Sequence, residues 1–201
     1  MHISEGVLSG PVLAVGGVMA LAGTAWGLRK LEAHNLPRAA LLSAAFFTAN
    51  LVHVPLGPSN VHLILNGLVG IMLGWAAFPA LLVALALQAL LFQFGGFVVL
   101  GVNTTNMALP AVVCYLLLAP LARSPNRKMV LAAGFAAGAL SVGLAGVLAA
   151  LSLDLSGSAF IISAQALLLA HLPVACVEGA ITALILGFLH RVKPETLQDL
   201  K

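Results

Sequence analysis

Long apolar runs alternate along the chain with short breaks rich in glycine, proline, asparagine or charge. A helix needs about 20 apolar residues to cross a bilayer upright, and seven runs approach or reach that length. They predict helices at residues 10–28, 39–54, 62–77, 78–94, 107–122, 129–151 and 161–189. The third and fourth are joined through Phe78-Pro79 with almost no loop. The pattern predicts an all-α integral membrane protein.

Composition agrees with this prediction. Hydrophobic residues make up 61% of the 201 residues and charged residues only 7%. No Asp, Glu, Lys or Arg occurs in residues 39–122, and lipid is the simplest solvent for such a segment. Both cysteines, Cys114 and Cys176, fall in apolar runs and are interpreted as packing residues. We expect one transmembrane domain over residues 1–201, with the N-terminal segment retained because it lacks the pattern of a cleaved signal.

The basic residues predict the orientation, because cytoplasmic loops are enriched in Lys and Arg. Seven spans with an outer N-terminus and a cytoplasmic C-terminus put every basic residue on the cytoplasmic side. These nine are Arg29, Lys30, Arg38, Arg123, Arg127, Lys128, Arg191, Lys193 and Lys201. Membrane topology therefore explains the net charge of +3, and nucleic-acid binding is not indicated.

Histidines are the polar residues that most need an explanation in so apolar a chain, since polar groups in a membrane are costly and tend to be functional. The predicted topology brings His2, His53 and His62 together on the outer side. His171 lies about midway along the last span, with Glu178 seven residues further on the same face. For this last pair, a structural role against a neighbouring helix is favoured over a metal pathway.

The start of the chain has the chemistry of a metal chelate. A free amine on Met1, the deprotonated amide of His2 and the His2 Nδ1 atom would form adjoining five- and six-membered rings in one plane. A planar set of nitrogen donors favours Ni(II) or Cu(II) over zinc, magnesium or calcium. An outer histidine such as His62 would supply the fourth nitrogen. Methionine is expected to remain, because aminopeptidases remove it only before a small second residue.

Weaker candidates surround these residues. Asn66, one helical turn after His62 in the predicted third helix, is placed to orient its ring, although packing is equally compatible. The segment 95–106, which includes Asn103, has the Gly and Asn content of a loop that closes over a site or simply connects two helices. Small residues spaced four apart, such as Gly23 with Gly27 and Gly134 with Gly138, suit close helix packing, within the chain or against a partner helix.

Four segments, taken together and in order, resemble the substrate-capture subunits of nickel and cobalt energy-coupling-factor transporters. The resemblance covers essentially the whole chain. The segments are residues 1–9 (MHISEGVLS), 54–63 (VPLGPSNVHL), 88–96 (QALLFQFGG) and 100–107 (LGVNTTNM). The family usually has proline where Ser4 stands, a change that loosens the turn after the candidate ligands but leaves the ligands themselves.

The resemblance implies a six-helix core preceded by one added helix, in the cell membrane of a prokaryote. It implies that Met1, His2 and a histidine matching His62 bind the metal in a plane, with the segment around His62 closer to the nickel branch than to the cobalt branch. It also implies a transmembrane coupling subunit, two cytoplasmic ATPases and often a small accessory membrane subunit. The contact with the coupling subunit is expected at a row of small residues: Ala40, Ala44, Ala45 and Ala49.

Two other functions are possible alternatives from the residues alone. A self-sufficient metal permease or channel would carry a line of intramembrane charges, but only His171 and Glu178 are available. An intramembrane enzyme would have to use the same pair. The sequence contains no Gly-x-x-x-x-Gly-Lys-Ser/Thr phosphate loop, no His-Glu-x-x-His and no Gly-x-Ser-x-Gly. It therefore predicts a non-enzymatic subunit that depends on ATPases elsewhere.

Overall fold

The computed structural model describes residues 2–51, 53–56 and 59–198, without the side chains of 53–56 and 59–61. The helices are α1 (Gly10–Lys30), α2 (Leu36–Ala49), α3 (Asn66–Leu73), α4 (Ala77–Phe92), α5 (Leu100–Ala122), α6 (Arg127–Asp154), α7 (Ile161–Val192) and the short α8 (Glu195–Gln198). A two-stranded antiparallel hairpin, β1 (His53–Leu56) and β2 (Ser59–His62), joins α2 to α3. The prediction of a largely helical membrane protein is confirmed, with this small hairpin added; the seven helices from α1 to α7 include a short α3 of 8 residues.

The helices begin and end where local chemistry favours it. Pro11 occupies the first turn of α1, where its missing N–H costs nothing, and Arg29 and Lys30 in the last turn complement the helix dipole. The Asn126 side chain caps α6 by accepting a hydrogen bond from the Lys128 N–H. Large apolar side chains remain exposed along the outer helices, as lipid contact requires.

Five helical stretches in the described part of the chain are long and apolar enough to cross a membrane, namely Gly10–Lys30, Asn66–Phe92, Leu100–Ala122, Arg127–Asp154 and Ser158–Val192. The second combines α3 and α4, which are separated at Gly74, where φ is +55°. α3 begins four residues after His62, and α4 returns to the same region, because Gln88 near its end bonds His2. We therefore describe α3 and α4 as a helical hairpin and not as one straight span.

The predicted helices at residues 39–54 and 62–77 are wrong at the ends that face each other. α2 stops at Ala49 and α3 starts at Asn66, and the intervening hairpin pairs His53 with His62 and Val54 with Val61. Pro55 lacks the N–H that a helix would use, and β-branched Val54 and Val61 favour the extended backbone. The 14 residues of α2 span only about 21 Å, which is less than the thickness of a bilayer of about 30 Å.

α5 also differs from its prediction, since it begins at Leu100 and not near residue 107. The polar residues Asn103, Thr104, Thr105 and Asn106 suggested a loop, but they lie in the first turns of the helix and are buried. From sequence alone, a helix face whose polar residues point into the protein interior cannot be told from a loop, because both are rich in Asn and Thr. The loop that precedes it is shorter, with Gly95 and Gly96 at positive φ.

One end of the helix bundle carries the basic residues. α6 and α7 run antiparallel, since Gly134 faces Ala183 and Gly146 faces His171, so the start of α6 and the end of α7 lie together. α1 and α5 run parallel, as the contact of Gly16 with Val102 and the shared surroundings of their later turns indicate. Eight of the nine basic residues therefore share one end of the bundle, and Lys201 lies outside the described residues. This grouping agrees with the predicted seven-span topology.

Glycines allow the helices to approach closely within the chain. A Cβ on Gly27 would lie 2.4 Å from the Trp75 carbonyl oxygen, and one on Gly138 would lie 2.4 Å from that of Glu178. The rows Gly23 with Gly27 and Gly134 with Gly138 are thus internal packing surfaces. Ala40 and Ala44, in contrast, are exposed on α2, whereas Ala45 and Ala49 are half-buried.

Candidate functional site

The N-terminal segment folds back into the protein beside α5. His2 and Ile3 are 2% and 0% exposed. The Ile3 N–H donates to the Asn103 side-chain oxygen at 3.0 Å, and the Asn103 amide donates to the Ile3 carbonyl at 3.1 Å. The Asn103 side chain thus supplies one acceptor and one donor to the same residue, as a neighbouring β-strand would. Asn103, a weaker candidate from sequence, therefore anchors the backbone directly after His2.

The loop between α4 and α5 holds the same segment from the other side. The Glu5 N–H donates to the Gly95 carbonyl at 3.2 Å, and the Val98 N–H donates to the Glu5 carboxylate at 3.0 Å. Gly95 has φ +75°, and a Cβ there would lie 2.8 Å from Asn103 Nδ2 and 3.5 Å from the His2 ring. Glycine is needed at Gly95 both for its conformation and for its closeness to the site.

His2 and His62 meet at the centre of this region. The Nδ1 atom of His2 lies 3.1 Å from the Nε2 atom of His62, with ring centroids 4.9 Å apart. His62 is only 4% exposed, and its Nδ1–H donates to the Leu63 carbonyl at 2.8 Å. The two imidazoles singled out from sequence are therefore adjacent and buried, although 60 residues separate them.

Burial keeps His62 neutral. Loss of solvent lowers the pKa of His62 from its ordinary value of 6.5 to about 4, against the opposing effect of the bond to Leu63. A neutral imidazole presents the lone pair that a metal requires. Among the described residues, no group of three or more His, Cys, Asp or Glu side chains is arranged to hold a metal ion. Within the described side chains, any further donors would therefore come from other groups.

Gln88 is a site residue that sequence analysis missed. Its side-chain nitrogen donates to the Phe47 carbonyl at 3.0 Å, which turns its oxygen toward His2 Nε2 at 2.8 Å. Gln88 is fully buried. The sequence contained a signal for its role, because a polar residue within a long apolar segment without charge tends to be functional in a membrane protein. Gln88 fixes the ring of His2 through the nitrogen that faces away from His62.

Glu178 positions the backbone that follows His62. Its buried carboxyl group accepts hydrogen bonds from the N–H groups of Ile64 and Leu65, the latter at 3.0 Å. Leu65 has φ +56°, so this contact stabilises a backbone conformation that leucine rarely adopts. A structural role against a neighbouring helix is the favoured prediction for Glu178; the contacts are structural, but they are made to the backbone between β2 and α3 and not to a helix.

His171 lies near His62 but does not bond Glu178. Its Nδ1–H donates to the Leu167 carbonyl at 2.6 Å, and its Nε2 atom is buried without a hydrogen-bond partner. Of the two roles considered for Asn66, the hydrogen bond to His62 is not present: the His62 Nδ1–H donates to Leu63 and its Nε2 atom faces His2. Asn66 starts α3 and donates instead to the Met107 carbonyl at 3.1 Å. The reason is the hairpin: His62 lies on a strand, so no helical turn relates it to Asn66.

Two candidates fall partly or wholly outside the description. Met1 lies outside the described residues. His53 is described by its backbone alone, which pairs with His62 at the open end of the hairpin.

Comparison with known proteins identifies the family. Residues 2–196 match the family CbiM, described as the cobalt uptake substrate-specific transmembrane region. The chain belongs to this family. A protein of Haemophilus influenzae assigned to metal transport is 47% identical over 98% of this chain and 97% of its own. The cobalt transport protein CbiM of Sorangium cellulosum is 31% identical over 100% and 96%. The fused nickel transport protein NikMN of Rhodobacter capsulatus is 32% identical, over 98% of this chain and 64% of its own length.

A solved structure extends the comparison to the fold. The crystal structure of a truncated transition metal transporter matches with a TM-score of 0.77 and 27% identity, over 95% of this chain and 99% of that one. The chain is thus a multi-pass membrane subunit of cobalt and nickel uptake and not an enzyme, as predicted. The resemblance to nickel and cobalt transporter subunits is confirmed.

Proposed function

We propose that this member of the CbiM family captures Ni(II) at its outer face for import powered by separate ATPase subunits. His2 Nδ1, His62 Nε2, the His2 backbone amide and the Met1 amine would form the capture site, in one plane. The observation that carries the proposal is the buried approach of His2 Nδ1 to His62 Nε2 at 3.1 Å. Three steps lead from this contact to the metal.

The first step is the protonation of the two rings. Gln88 Nε2 donates to Phe47, so its oxygen is an acceptor and His2 Nε2 must carry the hydrogen. His62 Nδ1 carries its hydrogen because it donates to a carbonyl. Each neutral ring has one hydrogen, so the two nitrogens that face each other both present lone pairs. A cation between them turns their mutual repulsion into attraction.

The second step is distance. Imidazole nitrogens bind divalent transition metals at about 2.0–2.1 Å. Two donors in adjacent corners of a square plane then lie about 2.8–3.0 Å apart. The observed 3.1 Å separation is close to this spacing. The two rings therefore need little movement to become neighbouring ligands of one ion.

The third step is the identity of the other donors and of the metal. Two imidazoles are too few for a stable site, and the described residues offer no third His, Cys, Asp or Glu beside them. The amine and amide nitrogens next to the His2 ring complete a four-nitrogen plane through unstrained chelate rings. A planar nitrogen set favours Ni(II) in its square-planar form, so we propose nickel over cobalt. The proposal requires Met1 to be the first residue of the mature protein, which intact-mass measurement tests.

The test is metal content and visible spectrum after nickel exposure, with protein purified through a C-terminal tag that contains no histidine. We expect about one nickel per chain and the yellow absorption of a planar site. Two residues, Leu-Ala, inserted between Met1 and His2 should abolish both, because the large leucine keeps Met1 in place and the Met1 amine then lies too far along the chain from His2 to complete the chelate. His62→Ala should also lose the planar spectrum. His34→Ala is the control, since His34 is exposed and pairs with Glu32. Equal nickel and an unchanged spectrum in the insertion variant would disprove the N-terminal chelate.

We propose that ATP hydrolysis is supplied by two cytoplasmic ATPases through a transmembrane coupling subunit, with a small accessory membrane subunit as a further candidate partner. This is supported by the absence of a phosphate loop from the sequence. The exposed residues Ala40 and Ala44 on α2 border a shallow groove against α4 and are the proposed coupling surface. Ala44→Trp should weaken co-purification with the coupling subunit, whereas Ala25→Trp on the exposed face of α1 should not. Equal co-purification of both would rule out this surface.

A further inference from the structure

A second pocket lies at the basic end of the bundle, away from the histidines. Its volume is about 480 Å³, and it lies between α1, the α1–α2 connection, the turn from α3 to α4, and α5. We propose that this pocket binds the head group of an anionic phospholipid. The proposal goes beyond metal capture and does not depend on it.

Two cations line the pocket. Lys30 ends α1 and Arg38 lies in the first turns of α2, so both project from the membrane end that carries the basic residues. The one acidic residue that lines the pocket, Glu32, is engaged by the His34 ring at 3.3 Å. The pocket therefore has net positive charge, which complements a phosphate group. Basic pockets between helices at this membrane face are typical binding sites for anionic head groups.

Aromatic side chains form the rest of the wall. The Trp26 and Trp75 rings meet edge to face with centroids 6.4 Å apart, and Lys30 Nζ lies 5.5 Å from the centroid of the Trp26 ring. Tyr115 from α5 completes the aromatic lining. Tryptophan and tyrosine concentrate where head groups meet acyl chains, because one part of each ring system is apolar and another is polar.

The surroundings of the pocket suit a lipid better than a soluble anion. Leu116 and Trp26 line the pocket and are 58% and 46% exposed. These side chains offer an apolar surface along which acyl chains can continue from a bound head group. A free phosphate would use the cations alone and would gain nothing from this surface.

The chain provides its own reporter, because its only two tryptophans, Trp26 and Trp75, both line this pocket. Quenching of intrinsic fluorescence by lipids brominated on their acyl chains therefore reports on lipid at this position. The experiment titrates purified protein in detergent micelles with brominated phosphatidylglycerol or brominated phosphatidylcholine of matched chains. Each basic residue near a membrane surface contributes about fivefold in affinity for anionic lipid. We expect phosphatidylglycerol to quench at about ten- to thirtyfold lower mole fraction, with the preference reduced at high salt.

The double variant Lys30→Gln, Arg38→Gln should lose the preference while quenching by phosphatidylcholine stays as in wild type, which shows that the fold persists. Arg127→Gln, Lys128→Gln is the matched control, since both residues are exposed at the same end outside the pocket. Equal quenching by the two lipids in wild type would overturn the proposal. Loss of the preference on addition of inorganic phosphate at millimolar concentration would overturn it in favour of a soluble anion. A fluorescence response to the coupling subunit without any lipid preference would overturn it in favour of a protein contact.

Discussion

Gln88 tests how the capture site holds His2, because it touches the ring on the side opposite the proposed metal. Gln88→Met keeps the length and most of the volume of the side chain but removes the acceptor of the 2.8 Å bond to His2 Nε2. The imidazole N–H is then left buried without its acceptor, at a cost of about 1–3 kcal/mol. That bond matters most when the opposite nitrogen binds a cation, since the metal polarises the ring.

We therefore expect Gln88→Met to lower nickel affinity by about 10- to 100-fold, the range found when groups that orient a metal-binding histidine are removed. The assay is competition with a chromophoric nickel chelator on purified protein. Gln165→Met is the matched control, because Gln165 is exposed on α7 and away from the site. If Gln88→Met bound nickel as tightly as wild type, the ring orientation described for His2 would not contribute to the site.

Three further predictions follow from the anchors of the site. Glu178→Ala leaves the backbone N–H groups of Ile64 and Leu65 without acceptors and should destabilise the protein by about 2–6 kcal/mol. Glu178→Gln keeps an acceptor oxygen and should destabilise it less. Unfolding followed by circular dichroism measures both variants. The metal-free protein should lose stability as pH falls from about 6.5 toward 4, because His62 then binds a proton in the unfolded chain but not in the folded protein, where its pKa is lowered to about 4. Thermal unfolding should show a flatter dependence of the melting temperature on pH for His62→Gln than for wild type. Gly95→Ala forces a Cβ to 2.8 Å from Asn103 Nδ2 and should weaken nickel binding in the same chelator assay, whereas Gly143→Ala, with open space around it, should not.

The helices were largely predictable because lipid imposes one requirement on all of them. Backbone groups in a bilayer must bond within the chain, so apolar runs become helices wherever nothing opposes them. The predicted segments 129–151 and 161–189 lie within α6 and α7. The strands of the hairpin escaped prediction because the residues between the predicted helices 39–54 and 62–77 are rich in proline, glycine and polar residues and have the composition of a plain loop. The conformation of the hairpin depends on packing against α7, where Glu178 supplies acceptors that no local pattern reveals.

The candidate site was predictable to the extent that it follows from chemistry and not from packing. A histidine at position 2 and another histidine on the same predicted side are visible in the sequence, and the structure brings His2 and His62 into contact. Gln88 and Asn103 are separated from His2 by 86 and 101 positions, and only the folded chain shows which of the polar residues in these helices reach it. Of the two alternatives for Asn66, the contact with the His62 ring assumed a helix where the chain is extended, and Asn66 instead bonds the Met107 carbonyl.

The placement of the two histidines has a consequence for how the proposed site would release its metal ion. His2 lies on the N-terminal segment, which Asn103 and the α4–α5 loop hold, whereas His62 lies on the hairpin, which Glu178 holds at its C-terminal end. Two donors bound to one metal at about 2 Å cannot be more than about 4 Å apart. Starting from 3.1 Å, a relative shift of about 1 Å between the two segments is therefore enough to end joint coordination. Neither histidine belongs to a helix, so such a shift requires no repacking of the helical core. A site built on two separately anchored segments can bind a metal ion tightly when both segments hold their histidines in place, and can release the ion when one segment moves.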